Sequence, residues 1–186
     1  MLSTQTQDFD LIYREIGERG IVYACPPEAG HVARVTYKPY ATWASTGEWT
    51  HLLPEGEYAV AIAAGGVPPT RALRVLQEAD AEGNGYVVVA TNTGLVRFFS
   101  GGGMQKGPIW ALDGDLVSMV AGRDYVFVVH REGGTSLDGN QNLKYTLRTS
   151  DTFRVMHTGR LPINKGHTLK WIGITDEGVS LYYYLS

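Results

Sequence analysis

Apolar residues along the chain fall into short runs rich in Val, Ile, Tyr and Phe, separated by clusters of Gly, Asp and Pro. The runs are "GIVYA" (20 to 24), "VARVTY" (32 to 37), "YAVAIA" (58 to 63), "YVVVA" (86 to 90), "LVRFF" (95 to 99) and "PIWAL" (108 to 112). They continue with "LVSMVA" (116 to 121), "YVFVVH" (125 to 130), "LKYTL" (143 to 147), "FRVMH" (153 to 157), "LKWIGI" (169 to 174) and "VSLYYYL" (179 to 185). Each is of strand length, and helical periodicity is almost absent, so the pattern predicts twelve strands and an all-β protein.

A repeat lies within this pattern. "HLLPEGEYAVAIA", "WALDGDLVSMVA" and "RLPINKGHTLKWIGI" each read as an apolar strand end, a turn with Pro or Asp, a glycine and a buried strand. Their glycines, Gly56, Gly114 and Gly166, are 58 and then 52 residues apart. Periods near 50 with about four strands each are the signature of β-propeller blades. A Greek-key sandwich would use similar strands without requiring a glycine at that interval. Residues 1–186 therefore read as part of one partial propeller, with joints between blades near 54–57, 112–115 and 161–167. On this count the chain opens partway through one blade, contains two whole ones and stops after the second strand of a fourth. An insertion at 67–83 interrupts the first whole blade, where the next blade has only "GRD". Thr70 can cap a short helix there with Leu73, Leu76 and Ala79 on one face, and both a solvated insertion and a partner-binding arm fit it.

Charge and composition narrow the function. Sixteen basic and nineteen acidic residues give a net charge of -3 without long runs of either sign, which is no footprint for nucleic acid. The single cysteine, Cys25, excludes an internal disulfide and reads as a buried thiol of an intracellular protein. "MLSTQTQDFD" has no features of a secretory signal, and no run approaches a membrane span, so no membrane association is expected. His31, His51, His130, His157 and His167 never fall at ligand spacing, so no metal or other cofactor is expected. "SGGGMQKGPIW" (100 to 110) resembles a phosphate loop superficially, but Pro108 follows Gly107 where Lys-Ser/Thr is needed, and it joins two strands as a flexible turn. Asp113 with Asp115, and Asp176 with Glu177, are acidic pairs of the kind a glycosidase uses, yet both sit in tight turns where carboxylates accept backbone hydrogen bonds. No nucleophile elbow or zinc-protease motif is present, and no catalytic residue is assigned.

The aromatic residues carry more information. Tyr37, Tyr40, Trp43, Trp49 and Tyr58 crowd around "KPYATWASTGEWTHLLPEGE" (38 to 57), while Trp110 and Trp171 occupy strands. An aromatic loop can be a binding hot spot. The architectural alternative folds Trp43 back over a blade turn, starts an outer strand at Trp49 and uses Pro54 to Glu57 as the turn into the next blade.

The order "GERGIVYACPP", "VTYKPYATWASTGEWTHLLPEGE", "GLVRFFSGGG" and "VAGRDYVFVV" resembles the middle propeller of the replisome scaffold family that includes fungal SepB, the minichromosome-loss protein of fission yeast and the vertebrate acidic nucleoplasmic DNA-binding protein. A fungal member fits best. The resemblance rests on Gly17, Glu18, Gly20, Tyr37, Pro39, Trp43, Trp49, Leu53, Pro54, Gly56 and Glu57, with Gly122, Asp124 and Tyr125 downstream. It implies a six-bladed WD40-like ring in a nuclear, non-enzymatic hub that forms homotrimers and takes part in chromosome replication and sister-chromatid cohesion. In the family a helical bundle beyond the propeller captures peptides of DNA polymerase alpha-primase and of GINS in the replicative helicase, and the full-length proteins contact chromatin or DNA. The bundle, the WD40 repeats and the HMG box have no counterpart in this sequence, so no partner-binding residue is carried over. A generic WD40 or kelch-like interaction module and a propeller glycosidase remain the alternatives.

Overall fold

The computed structural model describes residues 13–40, 47–68, 85–134 and 141–185. Within them the chain forms fourteen strands and four antiparallel sheets in sequence order. The first sheet is β1 (Tyr13–Ile16), β2 (Gly20–Cys25), β3 (Arg34–Pro39) and β4 (Trp49–Leu52). The second is β5 (Ala59–Gly65), β6 (Tyr86–Thr91), β7 (Leu95–Ser100) and β8 (Gln105–Ala111). The third is β9 (Leu116–Ala121), β10 (Tyr125–Arg131), β11 (Leu143–Thr149) and β12 (Val155–Arg160). The fourth pairs β13 (Thr168–Ile174) with β14 (Ser180–Leu185). Each sheet is a meander, and the leading strands β1, β5, β9 and β13 touch in succession, as the innermost strands of neighbouring propeller blades do.

The blade count differs from the sequence expectation in one respect. The first sheet is complete, so three four-stranded sheets precede the two-stranded one. Pattern reading passed over two strands: β4, which only the paired-tryptophan segment placed by starting an outer strand at Trp49, and β1, which has the sequence YREI and is exposed along its length, so no alternation of apolar and polar residues marks it.

Continuous apolar runs arise because second strands are covered on both faces. Val87 and Val89 of β6 join Val22, Val35 and Tyr37 of the first sheet, whereas Val88 and Ala90 turn to Val126 and Val128 of β10. Phe127 and Val129 of the same β10 face the opposite way and meet Ile172 of the fourth sheet. The core is thus three apolar seams between successive sheets, and Cys25 is buried at the end of β2.

The repeated glycines of the joints serve two ends. Gly56 and Gly166 hold φ of 79° and 78°, a conformation that side chains with a Cβ rarely adopt. Gly114 instead lies against the Arg131 carbonyl, where a Cβ would collide. The proposed helix on Leu73, Leu76 and Ala79, capped by Thr70, lies outside the described residues.

Candidate interaction site at the sheet seams

The joint between the first and second sheets gathers most of the residues singled out in the paired-tryptophan segment. Pro54 to Glu57 form a turn closed by the Glu57 amide donating to the Pro54 carbonyl at 3.0 Å. Leu53 is buried just before it, and its amide donates to Ala33 across the sheet end. Gly20 pairs with Pro39 in the β2–β3 ladder and lies beneath the Tyr37 ring, which leaves no room for a Cβ. Tyr37 is the cross-strand partner of Trp49, with ring centroids 5.8 Å apart.

Trp49 reaches out of its own sheet. Its ring packs on Phe99 of β7 at 5.5 Å, its indole N–H donates to the Gly101 carbonyl at 3.0 Å, and Gly103 fits under it. The loop read from sequence as a flexible turn is therefore the receiver of an aromatic side chain from the preceding sheet. Trp43 lies outside the described residues.

Below the indole runs a buried polar network. Arg97 of β7 donates from Nε and Nη2 to the two carboxylate oxygens of Glu57 at 2.7 and 2.8 Å, and the two residues are 8% and 5% exposed. The guanidinium hydrogen bond holds the Glu57 carboxyl below its ordinary range, against the opposing effect of burial. His51 of β4 stacks on Phe99 at 4.7 Å, and burial followed by repulsion from Arg97 keeps its ring neutral below the usual histidine range. Sequence reading missed this pair, because nothing in a linear pattern links an acid in a joint to an arginine 40 residues later.

The second seam uses different side chains. Phe153, at φ 59°, places its ring edge-on to Phe98 at 5.1 Å and over Gly107. The Arg148 guanidinium lies 4.2 Å from the Trp110 ring centroid. The Tyr86 hydroxyl lies 2.9 Å from both the Gly122 and Tyr125 carbonyls, and burial pushes its pKa upward. The third seam opens into a groove of about 450 Å³ between β12 and β14, lined by Phe127, Tyr145, Leu147, His157, Arg160 and Tyr182 among others.

The acidic pairs do not form a site with convergent chemistry. Asp113 and Asp115 border a cavity of about 470 Å³ beside Thr91, Asn92 and Thr93, and Asp113 pairs with Lys144 at 3.5 Å on the surface. Asp176 lies at the inner ends of the sheets near Glu15, Glu18 and Arg123, while Glu177 is exposed, its carboxyl lowered by its own backbone N–H. The histidines are dispersed: His31 closes a bridge with Glu28, His130 is buried with Nδ1 3.1 Å from the Arg131 carbonyl oxygen, and His167 meets the Tyr184 ring at 5.2 Å. Among the described residues no three His, Cys, Asp or Glu side chains gather as metal ligands.

Meander sheets joined inner strand to inner strand, with aromatic side chains crossing each closed seam, define the class as a partial β-propeller. The chain belongs to the family described as minichromosome loss protein, Mcl1, middle region, whose profile matches residues 3–185. It is 28% identical to Protein ENHANCER OF LHP1 1 of Arabidopsis thaliana over 95% of the chain, which is 17% of that protein. It is also 28% identical to WD repeat and HMG-box DNA-binding protein 1 of Homo sapiens over 90% of the chain, and 29% identical to the Xenopus laevis protein of that name. The chain spans 13% of each of those two vertebrate relatives. Among solved structures the fold is shared with the crystal structure of HIRA(644-1017), at a TM-score of 0.53 and 14% identity over 89% of this chain and 43% of that one.

Proposed function

We propose that the chain is a non-catalytic propeller module of a chromosome-replication scaffold. The observation that carries this reading is the family match across residues 3–185, supported by relatives whose names combine WD repeats with an HMG box and DNA binding. Residues 1–186 act as one portion of a single propeller domain, with its joints at 54–57, 112–115 and 161–167. Gly20, Tyr37, Pro39, Trp43, Trp49, Pro54, Gly56 and Glu57 serve as architecture that keeps the first two blades in register. In the longer protein the propeller forms a homotrimer in the nucleus. Helical segments outside this sequence bring DNA polymerase alpha-primase and the GINS-containing helicase to it, and sister-chromatid cohesion depends on that link. Holding both partners on one trimer raises the effective concentration of each for the other.

Two measurements test this. Light scattering on the full-length protein should give a trimeric mass, and affinity capture from replicating cells should recover both primase and helicase subunits. A strictly monomeric full-length protein that captures neither would end the proposal.

A further inference from the structure

The link between β5 and β6 is built differently from its counterparts. In the first and third sheets the innermost hairpin is closed by three residues, 17–19 and 122–124, whereas β5 ends at Gly65 and β6 begins at Tyr86. Yet Gly65 and Tyr86 are direct ladder partners, so the hairpin is already closed before the intervening residues depart. Gly66 and Gly85, at φ 143° and 75°, approach so closely that a Cβ on Gly66 would lie 2.7 Å from the Gly85 Cα.

Three sheets hold this neck. The Gly66 amide donates to the Gly122 carbonyl of the third sheet at 3.1 Å, and Gly101 of the second donates to the Gly85 carbonyl at 2.7 Å. From the first sheet comes Arg19, 7% exposed, whose stem lies over both glycines and whose Nε donates to the Val67 carbonyl. Arg19 is itself anchored, because its carbonyl accepts from the Tyr40 amide at 2.9 Å. A long cationic side chain buried in a turn carries a substantial entropic and desolvation penalty, which its contacts must offset.

We infer that Gly65, Gly66 and Gly85 form a self-sufficient neck, that the propeller folds without the residues between 67 and 84, and that Arg19 is the positioning residue fixing how that segment leaves the ring. The neck that carries the segment is held by three sheets at once. This inference does not depend on the replication reading.

The test is a cycle on the complete chain. In one variant residues 66–85 are replaced by the Gly-Arg-Asp turn of residues 122–124, in a second residues 67–84 give way to Asn-Gly, and Arg19→Ala is added to the parent and to both. The Asn-Gly chain, which keeps Gly66 and Gly85, should unfold cooperatively within about 3 °C of the parent, with β5 and β6 amides equally protected from exchange. Arg19→Ala should lower the parent midpoint by about 5 °C, with little effect after excision. It should also speed tryptic cleavage at Arg71 and Arg74 in the parent. Loss of cooperative unfolding in the Asn-Gly chain would overturn the self-sufficient neck, and loss in both would overturn folding without residues 67–84. An equal drop from Arg19→Ala in every background, with tryptic cleavage unchanged, would overturn the positioning role.

Discussion

Glu57 ties the joint before β5 to Arg97 of β7 through a bidentate pair that is almost fully removed from water. Such a pair adds little net stability over an apolar equivalent, but removing one partner strands a buried charge. Arg97→Ala should therefore destabilise the chain by about 3–5 kcal/mol in denaturant melts, and the double change Glu57→Leu with Arg97→Met should recover much of that loss. Acid acts on the same network in two stages. His51 is held neutral in the folded chain, so the unfolded chain binds more protons just below the ordinary value of 6.5, and stability declines as pH falls through that region. Glu57 is lowered from 4.5, so its contribution is present above that value and disappears as pH drops through the folded value. Melts of His51→Gln should lack the upper stage and retain the lower one. Trp49→Ala removes both the indole N–H bond to Gly101 and the packing on Phe99, and should lower stability by about 3 kcal/mol in the same assay.

At the scale of the element, several strand and turn glycines exist because an aromatic ring occupies the space where a side chain would be. Gly65 faces both the Tyr86 ring and the Gly122 carbonyl, and the second of these is backbone that cannot swing aside. Gly159 is the ladder partner of Tyr145, whose ring atoms would lie 3.2–3.4 Å from an added Cβ. Gly65→Ala should thus disrupt the junction of the second and third sheets and lower the melting temperature by several degrees, while Gly159→Ala should leave it nearly unchanged. The strands themselves were legible, since β6 and β10 announce burial on both faces through unbroken apolar runs. The exposed β1 was not, because exposure erases the alternation that identifies a strand. The partners that gather at a joint were not legible: the pairing of Glu57 with Arg97 depends on how the joint folds against β7, which no local pattern encodes. Likewise "SGGGMQKG" reads as a flexible loop until Trp49 and Phe153 are seen lying on Gly103 and Gly107.

For the molecule as a whole, the fourth sheet is notable for the apolar surface it leaves uncovered. Trp171, Leu181, Tyr183 and Leu185 expose between 46% and 55% of their surface on the fourth sheet, and β14 is uncharged along its length. An apolar face of this kind is one that association with another chain can cover. Tyr183→Lys should therefore reduce concentration-dependent aggregation in light scattering while leaving the melting temperature within about 2 °C of the parent. If aggregation persists unchanged, this apolar face is not its source.

The tryptophans that cross the seams also give the chain a built-in optical readout. Trp49 and Trp110 each sit partly covered at a different junction, and Trp171 stands in solvent on the last sheet. Emission from either of the first two will move to the red when its own junction parts, so a variant that keeps only Trp49 reports the first junction and a variant that keeps only Trp110 reports the second.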